Sequence, residues 1–446
     1  MARGPLAFPA VSTSFAATGG TDMNFDLMAA AAGAVQGFDV EAATRAYTDT
    51  LQGAARAKSD AYFEGGYWLL LWGALVGVVS HWIMLRLGWS ARWRDWAERV
   101  TKRRWLQPAL YALPFVLVGT LIALPWTIYT GYAREKQYDL MNLGFGGWLQ
   151  EQAIGLGLGL VLTAIMLIIL FGVIRAAPRT WWLWGTAAMT ALVALMVLIA
   201  PVFISPLFND YKPMEAGPLR DQILGMARAK NVPAEHVYVF DQSKQHKRIS
   251  ANVSGIGPTI RVSLNDNLLG RSTPAEVKAV MGHELGHYVL GHVYRIFVVV
   301  ALIVGGGFLL LWWLTPRILA RYGAKWGVRD VADPAVLPLF AIVLSVFSLA
   351  MTPVTNWLIR SNESQADAFG LDSAREPDGF ASIAMKLSEY RKIEPGAFEE
   401  AIFFDHPSGR TRVRMAMEWK AQHLAELQAR DRLNPQPEPP AARAAR

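Results

Sequence analysis

Six long apolar segments constrain the fold of this 446-residue chain more than any other feature. Each has about 20 or more mainly apolar residues, the length that an α-helix needs to cross the ~30 Å hydrocarbon core of a bilayer. Trp and Tyr lie near many of their ends, as is typical of side chains at a membrane interface. We therefore expect a mainly α, multi-pass integral membrane protein in contact with the lipid bilayer. The segments are 67–87, 108–130, 153–174, 181–204, 295–315 and 337–359.

The composition agrees with this class and excludes others. Hydrophobic residues make up 53% of the chain and charged residues only 18%, which favours a membrane protein over a soluble one. The absence of cysteine excludes disulfides, thiolate metal sites and a cysteine nucleophile. Many of the basic residues behind the net charge of +7 lie beside apolar segments, where they would anchor spans to headgroups. We therefore expect no nucleic-acid partner.

The polar stretches divide the chain into parts. In the connection between the fourth and fifth spans, "HVYVFDQ" is typical of one short strand. The stretch "NVSGIGPTIRVSLNDNLL" is typical of two short strands around a "GIGP" turn. A helix follows, with Ser272 or Thr273 as its N-cap and Pro274 at its first position. The predicted parts are a weakly structured or amphipathic N-terminal region (1–60), a four-span membrane domain (61–204), a segment with a small β-sheet (205–294), two further spans (295–359), a soluble helical segment (360–430) and a disordered tail (431–446).

The helix after Pro274 carries the pattern HExxH, formed by His283, Glu284 and His287. Residues four apart lie on one face of an α-helix, so both imidazoles can reach one zinc ion at ~2.0–2.1 Å. Glu284 lies beside that face and is suited to act as a general base on water. The pattern alone is only moderately specific, since it can also occur on a solvated helix face.

A third histidine, His292, follows nine residues after His283, half a turn away from the ligand face of a continuous helix. The long motif HExxHxxGxxH would need glycine at 290 and histidine at 293, where this chain has Leu290 and Val293. We predict that His292 is an interfacial or second-layer residue that faces away from the metal. The third protein ligand must then come from elsewhere.

The best candidate for this ligand is in "RSNESQADAFG", after the last span. Glu363 and Asp367 are four residues apart on a predicted helix. Glu363 could complete a His-His-Glu site, and Asp367 could accept a hydrogen bond from a ligand histidine and fix its tautomer. Taken alone, the pair fits an ordinary solvated helix face equally well.

Together these residues resemble the type 1 CAAX prenyl proteases, a family of membrane-embedded zinc metalloproteases. The resemblance rests on "HELGH" followed by "ESQADAF", and on four further stretches in the same order, covering about residues 110–415. Those stretches are "LPWTIYTGYAREKQYDL", "APVFISPLFNDYKPMEAGPLR", "NVSGIGPTIRVSLNDNLL" and "HPSGRTRVR". The resemblance implies a zincin-like catalytic region in a helical membrane protein, with its zinc site at the rim of an intramembrane chamber.

For the metal site, the resemblance implies one Zn²⁺ per chain, bound by His283, His287 and Glu363. It implies that Glu284 is the general base and that Asp367 orients a ligand histidine.

For the substrate, the resemblance implies that His406 stabilises the oxyanion and that Asn252 holds the substrate backbone as an added β-strand. It implies that Arg412 pairs with a carboxylate near the site or at the substrate end. Plainer roles stay open: a strand cap for Asn252, a loop residue for His406 and a structural ion pair for Arg412.

The activity that the resemblance implies is hydrolysis of peptide bonds in a peptide or protein substrate, including substrates that are C-terminally prenylated. Several departures from the family pattern, such as Ser364 in place of an aromatic residue, lie near the substrate groove. A quality-control protease for membrane proteins, without prenyl specificity, is therefore an alternative. A metal transporter is a third hypothesis, although the candidate ligands lie at span borders and not mid-span.

The sequence gives conflicting indications of sidedness. The stretch "SARWRDWAERVTKRRW" holds six Arg/Lys and residues 316–330 hold four. The positive-inside rule would place these in the cytoplasm and residues 205–294 on the other side. The family resemblance implies a cytoplasmic catalytic face, which is our expectation, in the inner membrane of a bacterium or the endoplasmic reticulum of a eukaryote.

Overall fold

The computed structural model describes residues 38–255 and 260–433. Most of the "GIGP" turn, most of the predicted tail and the first 37 residues lie outside the described residues. The chain divides into two compact units, one of residues 41–419 and a smaller one whose described part is residues 38–40 and 420–433. All of the candidate site residues belong to the larger unit.

All six predicted spans are confirmed as helices that are long and apolar enough to cross a membrane. The second and fourth spans end in wide π-helical turns, at Tyr129–Ala133 and Ala200–Ile204, close to Pro125 and Pro201. The helical spans are α2 (Gly53–Arg86), α4 (Gln107–Ile128, extended by the short α5, Arg134–Gln137), α6 (Phe145–Ala176), α7 (Trp181–Ile199), α11 (His292–Trp326) and α12 (Leu337–Ala374).

The spans do not pack into a solid bundle. In the most apolar part of the first five, only 6–22% of residues are buried, whereas the sixth reaches 39%. A helix in the centre of a solid bundle would be buried on most faces. Helix α12 is the exception because it packs against α2, α10 and α11.

The remaining helices are short and lie before, between or after the spans. Helix α3, which follows the first span, is amphipathic, and its Ser90 bonds the Ala335 carbonyl just before the last span. These helices are α1 (Val40–Thr48), α3 (Trp89–Val100), α8 (Pro218–Ala229), α9 (Asp266–Arg271), α10 (Pro274–Val289), α13 (Pro377–Leu387), α14 (Ala397–Phe403), α15 (Gly409–Gln422) and α16 (Leu424–Leu433).

A small sheet forms in the fourth-to-fifth-span connection, with strand order β1-β2-β4-β3. The strands are β1 (Tyr211–Pro213), β2 (Val237–Phe240), β3 (Ala251–Ser254) and β4 (Arg261–Asn265). Strands β2 and β4 are parallel and the other pairs are antiparallel. The three strands predicted from sequence are present; β1 was missed because it is only three residues long and ends in proline. The order leaves β3 at an edge.

Helix α10 begins with the predicted cap. Thr273 Oγ1 accepts from the Glu276 backbone nitrogen, and Glu276 Oε2 accepts from the Thr273 backbone nitrogen. These reciprocal bonds satisfy two donors at the helix start. The apolar face of α10, with Val277, Met281 and Leu285, packs into one core with the sheet and α8. The core therefore holds the HExxH helix in a fixed orientation.

Glycines let α10 and α12 approach backbone to backbone. A Cβ on Gly282 would lie 2.8 Å from the Gly370 carbonyl oxygen, and one on Gly370 would lie 2.9 Å from the His283 nitrogen. A Cβ on Gly286 would lie 3.2 Å from the Ala366 Cα. Side chains at these positions would push the helices apart. The small residues thus bring the two sequence-distant motifs together.

Two helix boundaries differ from the predictions. The chain turns at Gly291, whose φ of +65° favours glycine, so α10 ends at Val289 and α11 begins at His292. The predicted domain boundary at residue 360 falls inside α12, which continues from the last span to Ala374 without a break. Glu363 and Asp367 therefore lie on the spanning helix itself.

Candidate metal centre

Four elements bring the candidate residues together. Helix α10 contributes His283, Glu284 and His287, and α12 contributes Glu363 and Asp367. The remaining two come from the loop after α14, which carries His406, and from α15, which carries Arg412.

The side chains of His283, His287 and Glu363 converge on one point. The two Nε2 atoms are 3.1 Å apart, and Glu363 lies 3.2 Å from His283 Nε2 and 3.5 Å from His287 Nε2. Ligands at ~2.0–2.1 Å in tetrahedral geometry are about 3.3 Å from one another. Glu363 Oε2 is buried and accepts no hydrogen bond within the described chain. This donor set fits a divalent metal.

The charge around His283 also favours a cation. Burial disfavours the charged ring, but the Asp367 carboxylate, which accepts a hydrogen bond from Nδ1–H, and the nearby Glu363 carboxylate outweigh burial and raise the pKa of His283 to about 10. The same negative charge would attract a metal ion.

A buried chain of contacts orients His283. Its Nδ1 lies 2.7 Å from Asp367 Oδ1, so the N–H is held there and the Nε2 lone pair points to the convergence point. Arg412 donates to the same carboxylate, from Nε at 2.9 Å and from Nη2 at 2.6 Å. Of the two options for Arg412, pairing with a carboxylate near the site is the one that this geometry matches.

His292 does not face away from the site, so that part of the prediction was wrong, whereas its contact with a candidate ligand matches the second-layer alternative. Its Nδ1 lies 2.9 Å from His287 Nδ1, and its Nε2 lies 3.2 Å from Gln365 Oε1. If Nε2–H donates to Gln365, Nδ1 of His292 is an acceptor for the Nδ1–H of His287. The Nε2 lone pair of His287 then points to the metal position. The prediction failed because it assumed one continuous helix, whereas the chain turns at Gly291.

A cleft of about 180 Å³ opens beside the convergence point. Glu284 lines it together with His283, Glu363, His406 and Arg412. Burial raises the pKa of Glu284 and outweighs the opposing effect of His283 and His287, which lower it. The large apolar residues that line the cleft are Ile249, Val280, Phe380, Ile383 and Leu387.

His406 also reaches the convergence point. Its Nε2 lies 3.3 Å from Glu363 Oε2, and its Nδ1 lies 2.9 Å from Asp405 Oδ1. Burial lowers the pKa of His406, against the Asp405 carboxylate, which favours the charged ring. The ring is therefore held by Asp405 with Nε2 directed into the cleft.

Asn252 lies on the edge strand β3, opposite Ser263 of β4. The cleft is lined by the residues just before it, Ile249, Ser250 and Ala251, and not by Asn252 itself. The free edge of the strand thus borders the cleft.

Three neighbours of the site were missed from sequence: Gln365, Asp405 and Arg391. Gln365 and Asp405 each contact a candidate histidine, and Arg391 lines the cleft. Asp405 directly precedes His406, which is a usable signal. No pattern in the sequence distinguishes Gln365 or Arg391 from ordinary surface residues.

Comparisons with known proteins agree with this fold and site. The family model described as peptidase family M48 matches residues 213–420. The model described as CAAX prenyl protease N-terminal, five membrane helices, matches residues 41–210.

Individual relatives are distant. The protein named "Uncharacterized metalloprotease YhfN" of Bacillus subtilis is 28% identical over 363 residues, which is 80% of this chain and 84% of that protein. CAAX prenyl protease 1 of Saccharomyces cerevisiae is 26% identical over 270 residues, covering 56% of this chain and 59%, less than two thirds, of the yeast protein. The crystal structure of S. mikatae Ste24p has the same fold, with a TM-score of 0.62, 21% identity and coverage of 70% of this chain and 76% of that one.

Six apolar helices and a His-His-Glu cluster beside a half-buried glutamate define an integral-membrane metalloprotease. The two family models together span the membrane helices and the site. The chain belongs to the CAAX prenyl protease family, peptidase family M48. The resemblance, fold class and enzyme class predicted from sequence are confirmed.

Proposed function

We propose that this protein hydrolyses peptide bonds with one Zn²⁺ held by His283, His287 and Glu363. The observation that carries this proposal is the convergence, at ligand–ligand distances, of two imidazole nitrogens and a buried carboxylate oxygen that accepts no hydrogen bond within the described chain. Zinc favours such a nitrogen and oxygen set, in which a fourth position stays open for water or substrate.

When bound, zinc supplies Lewis-acid polarisation of a carbonyl and lowers the pKa of water towards ~7. Glu284 takes a proton from the attacking water and passes it to the leaving amine. Burial supports this role because it brings the pKa of the Glu284 carboxyl closer to neutral pH.

His406 donates from Nε2 to the oxyanion that forms at the scissile carbonyl. Donation from Nε2 while Nδ1–H is bound by Asp405 requires both ring nitrogens to be protonated. Burial opposes that form and lowers the pKa of His406, whereas the Asp405 carboxylate favours it and fixes the plane of the ring. Such a preoriented donor stabilises charge that develops only in the transition state.

The substrate backbone adds as a strand to the free edge of β3, which includes Asn252. The residues that precede Asn252 line the cleft and support this path. Arg412 acts on the metal site through Asp367, because its Nε and Nη2 are both used there.

Metal analysis with a peptidase assay tests the zinc mechanism. We expect Glu284→Gln to retain stoichiometric zinc and lose nearly all turnover, since it removes the base and no metal ligand. His283→Ala and Glu363→Ala should lose the metal as well. Full activity in Glu284→Gln, or stoichiometric zinc in Glu363→Ala, would overturn the corresponding assignment.

The proposed substrate is a peptide or protein with a C-terminal prenyl group. The support is family membership and the name of the yeast relative, CAAX prenyl protease 1. The test compares hydrolysis of a farnesylated C-terminal peptide with that of the same peptide unmodified. A clear preference for the farnesylated peptide is expected, whereas equal rates would favour a general membrane quality-control protease.

We also propose that the catalytic face is cytoplasmic, on the strength of the family resemblance. The basic helix α3 follows the end of the first span that is remote from the catalytic segments. The positive-inside rule would place α3 in the cytoplasm, and this argues for a catalytic face on the other side of the membrane. A compartment-specific reporter at the C-terminus decides between them, and reporter activity outside the cytoplasm would overturn the proposal.

A further inference from the structure

The cleft contains one cation that the proposed mechanism does not use. Arg391 lines the same cleft as Glu284, Glu363 and His406, and its side chain is half-buried. Within residues 38–255 and 260–433, its guanidinium has no hydrogen bond and no ion pair. Its five N–H donors therefore have no acceptor among the described residues.

The other cations near the cleft are all paired. Arg412 binds Asp367, Arg248 binds Glu135 and the Tyr62 hydroxyl, and Lys392 lies 2.7 Å from Glu64 and 2.9 Å from Glu399. Arg391 thus differs from its immediate neighbour Lys392, which has two carboxylate partners.

The backbone of Arg391 is held by a hydrogen bond from the first span. The buried Ser59 hydroxyl of the first span lies 2.6 Å from the Ser388 carbonyl oxygen and 3.1 Å from that of Arg391. The adjacent Tyr390 lies under Arg248, whose guanidinium is 5.7 Å from the Tyr390 ring centroid. An arginine on a fixed backbone loses less freedom when it binds a ligand.

The charge of Arg391 reaches the reacting groups. Burial lowers the pKa of His406, and the positive charge of Arg391 lowers it further, whereas the Asp405 carboxylate raises it. Arg391 also lowers the pKa of the Asp405 carboxyl, but Asp405 Oδ1 accepts from His406 Nδ1, and no ion pair joins Asp405 to Arg391 in the described chain.

We propose that Arg391 binds a carboxylate of the substrate and thereby selects peptides that carry this group close to the scissile bond. This inference rests on the proposed peptidase function. A guanidinium binds a carboxylate through two parallel hydrogen bonds, which fixes orientation as well as charge. The carboxylate is close in sequence to the scissile bond, because a cleft of about 180 Å³ contains both Arg391 and Glu284. Its source is either the C-terminus of the peptide or an acidic side chain.

Three matched quenched-fluorescence peptides distinguish these sources. One ends in a free carboxylate, the second is the same peptide as a C-terminal amide, and the third is an amide with glutamate as its last residue. We expect a kcat/KM about tenfold or more higher for a carboxylate-bearing peptide than for the plain amide, from a charge-assisted hydrogen bond. Moving the carboxylate outward one residue at a time should remove the preference.

Substitutions assign the preference to Arg391. In Arg391→Gln the ratio should fall to about one, mainly through KM, and Arg391→Lys should restore part of it because the charge is kept. Arg271→Gln is the control: Arg271 pairs with Glu389 outside the cleft, and this variant should keep the wild-type ratio. Equal rates on acid and amide in the wild type, or an unchanged ratio in Arg391→Gln, would overturn the inference.

A binding measurement separates this inference from the proposed function. Fluorescence anisotropy with labelled acid and amide peptides, in the Glu284→Gln background, reports recognition without turnover. We expect tighter binding of a carboxylate-bearing peptide and loss of this difference when Arg391→Gln is added. If no peptide is hydrolysed by metal-loaded wild type, the proposed function fails; if all peptides bind equally, the role of Arg391 fails.

Discussion

Arg412 donates two hydrogen bonds to Asp367, and both side chains are buried behind the candidate metal centre. Asp367 is 0% exposed, so its charge depends on Arg412 and on His283 for compensation. The three side chains come from α15, α12 and α10. The ion pair therefore stabilises the fold and orients a candidate ligand at once.

Removal of Arg412 should be strongly destabilising. Arg412→Ala leaves the Asp367 carboxylate buried with half of its partners, which typically costs about 3–5 kcal/mol. Thermal unfolding in detergent measures the loss. Arg414→Ala is the control, since its pair with Glu418 is exposed and worth at most about 1 kcal/mol. Similar melting temperatures for the two variants would contradict the proposed stabilisation by Arg412.

The contact from His292 to His287 predicts an effect on metal affinity. His292→Ala removes the partner that holds His287 Nδ1, and loss of such a partner typically lowers metal affinity about 10–100-fold. Competition with a chelator gives the affinity. His236→Ala serves as control because His236 is exposed and lies just before β2, away from the site. Unchanged affinity in His292→Ala would show that His287 is oriented by other contacts.

The close approach of α10 and α12 predicts a low tolerance for side chains at Gly370. In Gly370→Ala the new Cβ would lie 2.9 Å from the His283 nitrogen, and such overpacking costs about 1–3 kcal/mol. We expect a lower melting temperature and weaker metal binding, since the helices carry opposite halves of the ligand set. Gly225→Ala on α8 has no neighbour within 4 Å and should be neutral or stabilising by about 0.5–1 kcal/mol. A stable, metal-replete Gly370→Ala enzyme would refute this account of the helix contact.

The environment of Glu284 predicts the acid limb of the pH profile. A general base must be ionised, and burial raises the pKa of this carboxyl, so activity should be lost at a higher pH than the ~4.3 of an exposed glutamate. The measurement is kcat/KM against pH, with metal content checked at each point. An acid limb at or below ~4.3 with metal retained would contradict the role of Glu284.

Local patterns in the sequence predicted much of this protein. Apolar length identified six spans, and the spacing of HExxH placed His283 and His287 on one face of a capped helix. Glu363 lies more than seventy residues after His287, and an acidic pair at helical spacing has no local feature that marks it as a ligand. Only the resemblance to a family selected it.

The errors have one physical origin, which is tertiary geometry. The left-handed turn at Gly291 redirected His292 towards His287, a change that helical periodicity cannot anticipate. No feature of the sequence marks Gly282 and Gly370 as contact residues, and their role is visible only where the two helices pack together. Arg391 became distinctive only when its neighbours were found to be paired.

The unbroken course of α12 from the last span to Ala374 links the position of Glu363 rigidly to that of a membrane helix. A displacement of α12 by one turn would carry Glu363 about 5.4 Å from His283 and His287. The position of the carboxylate ligand is therefore set by the same helix packing that positions the sixth span, because no loop separates Glu363 from that span.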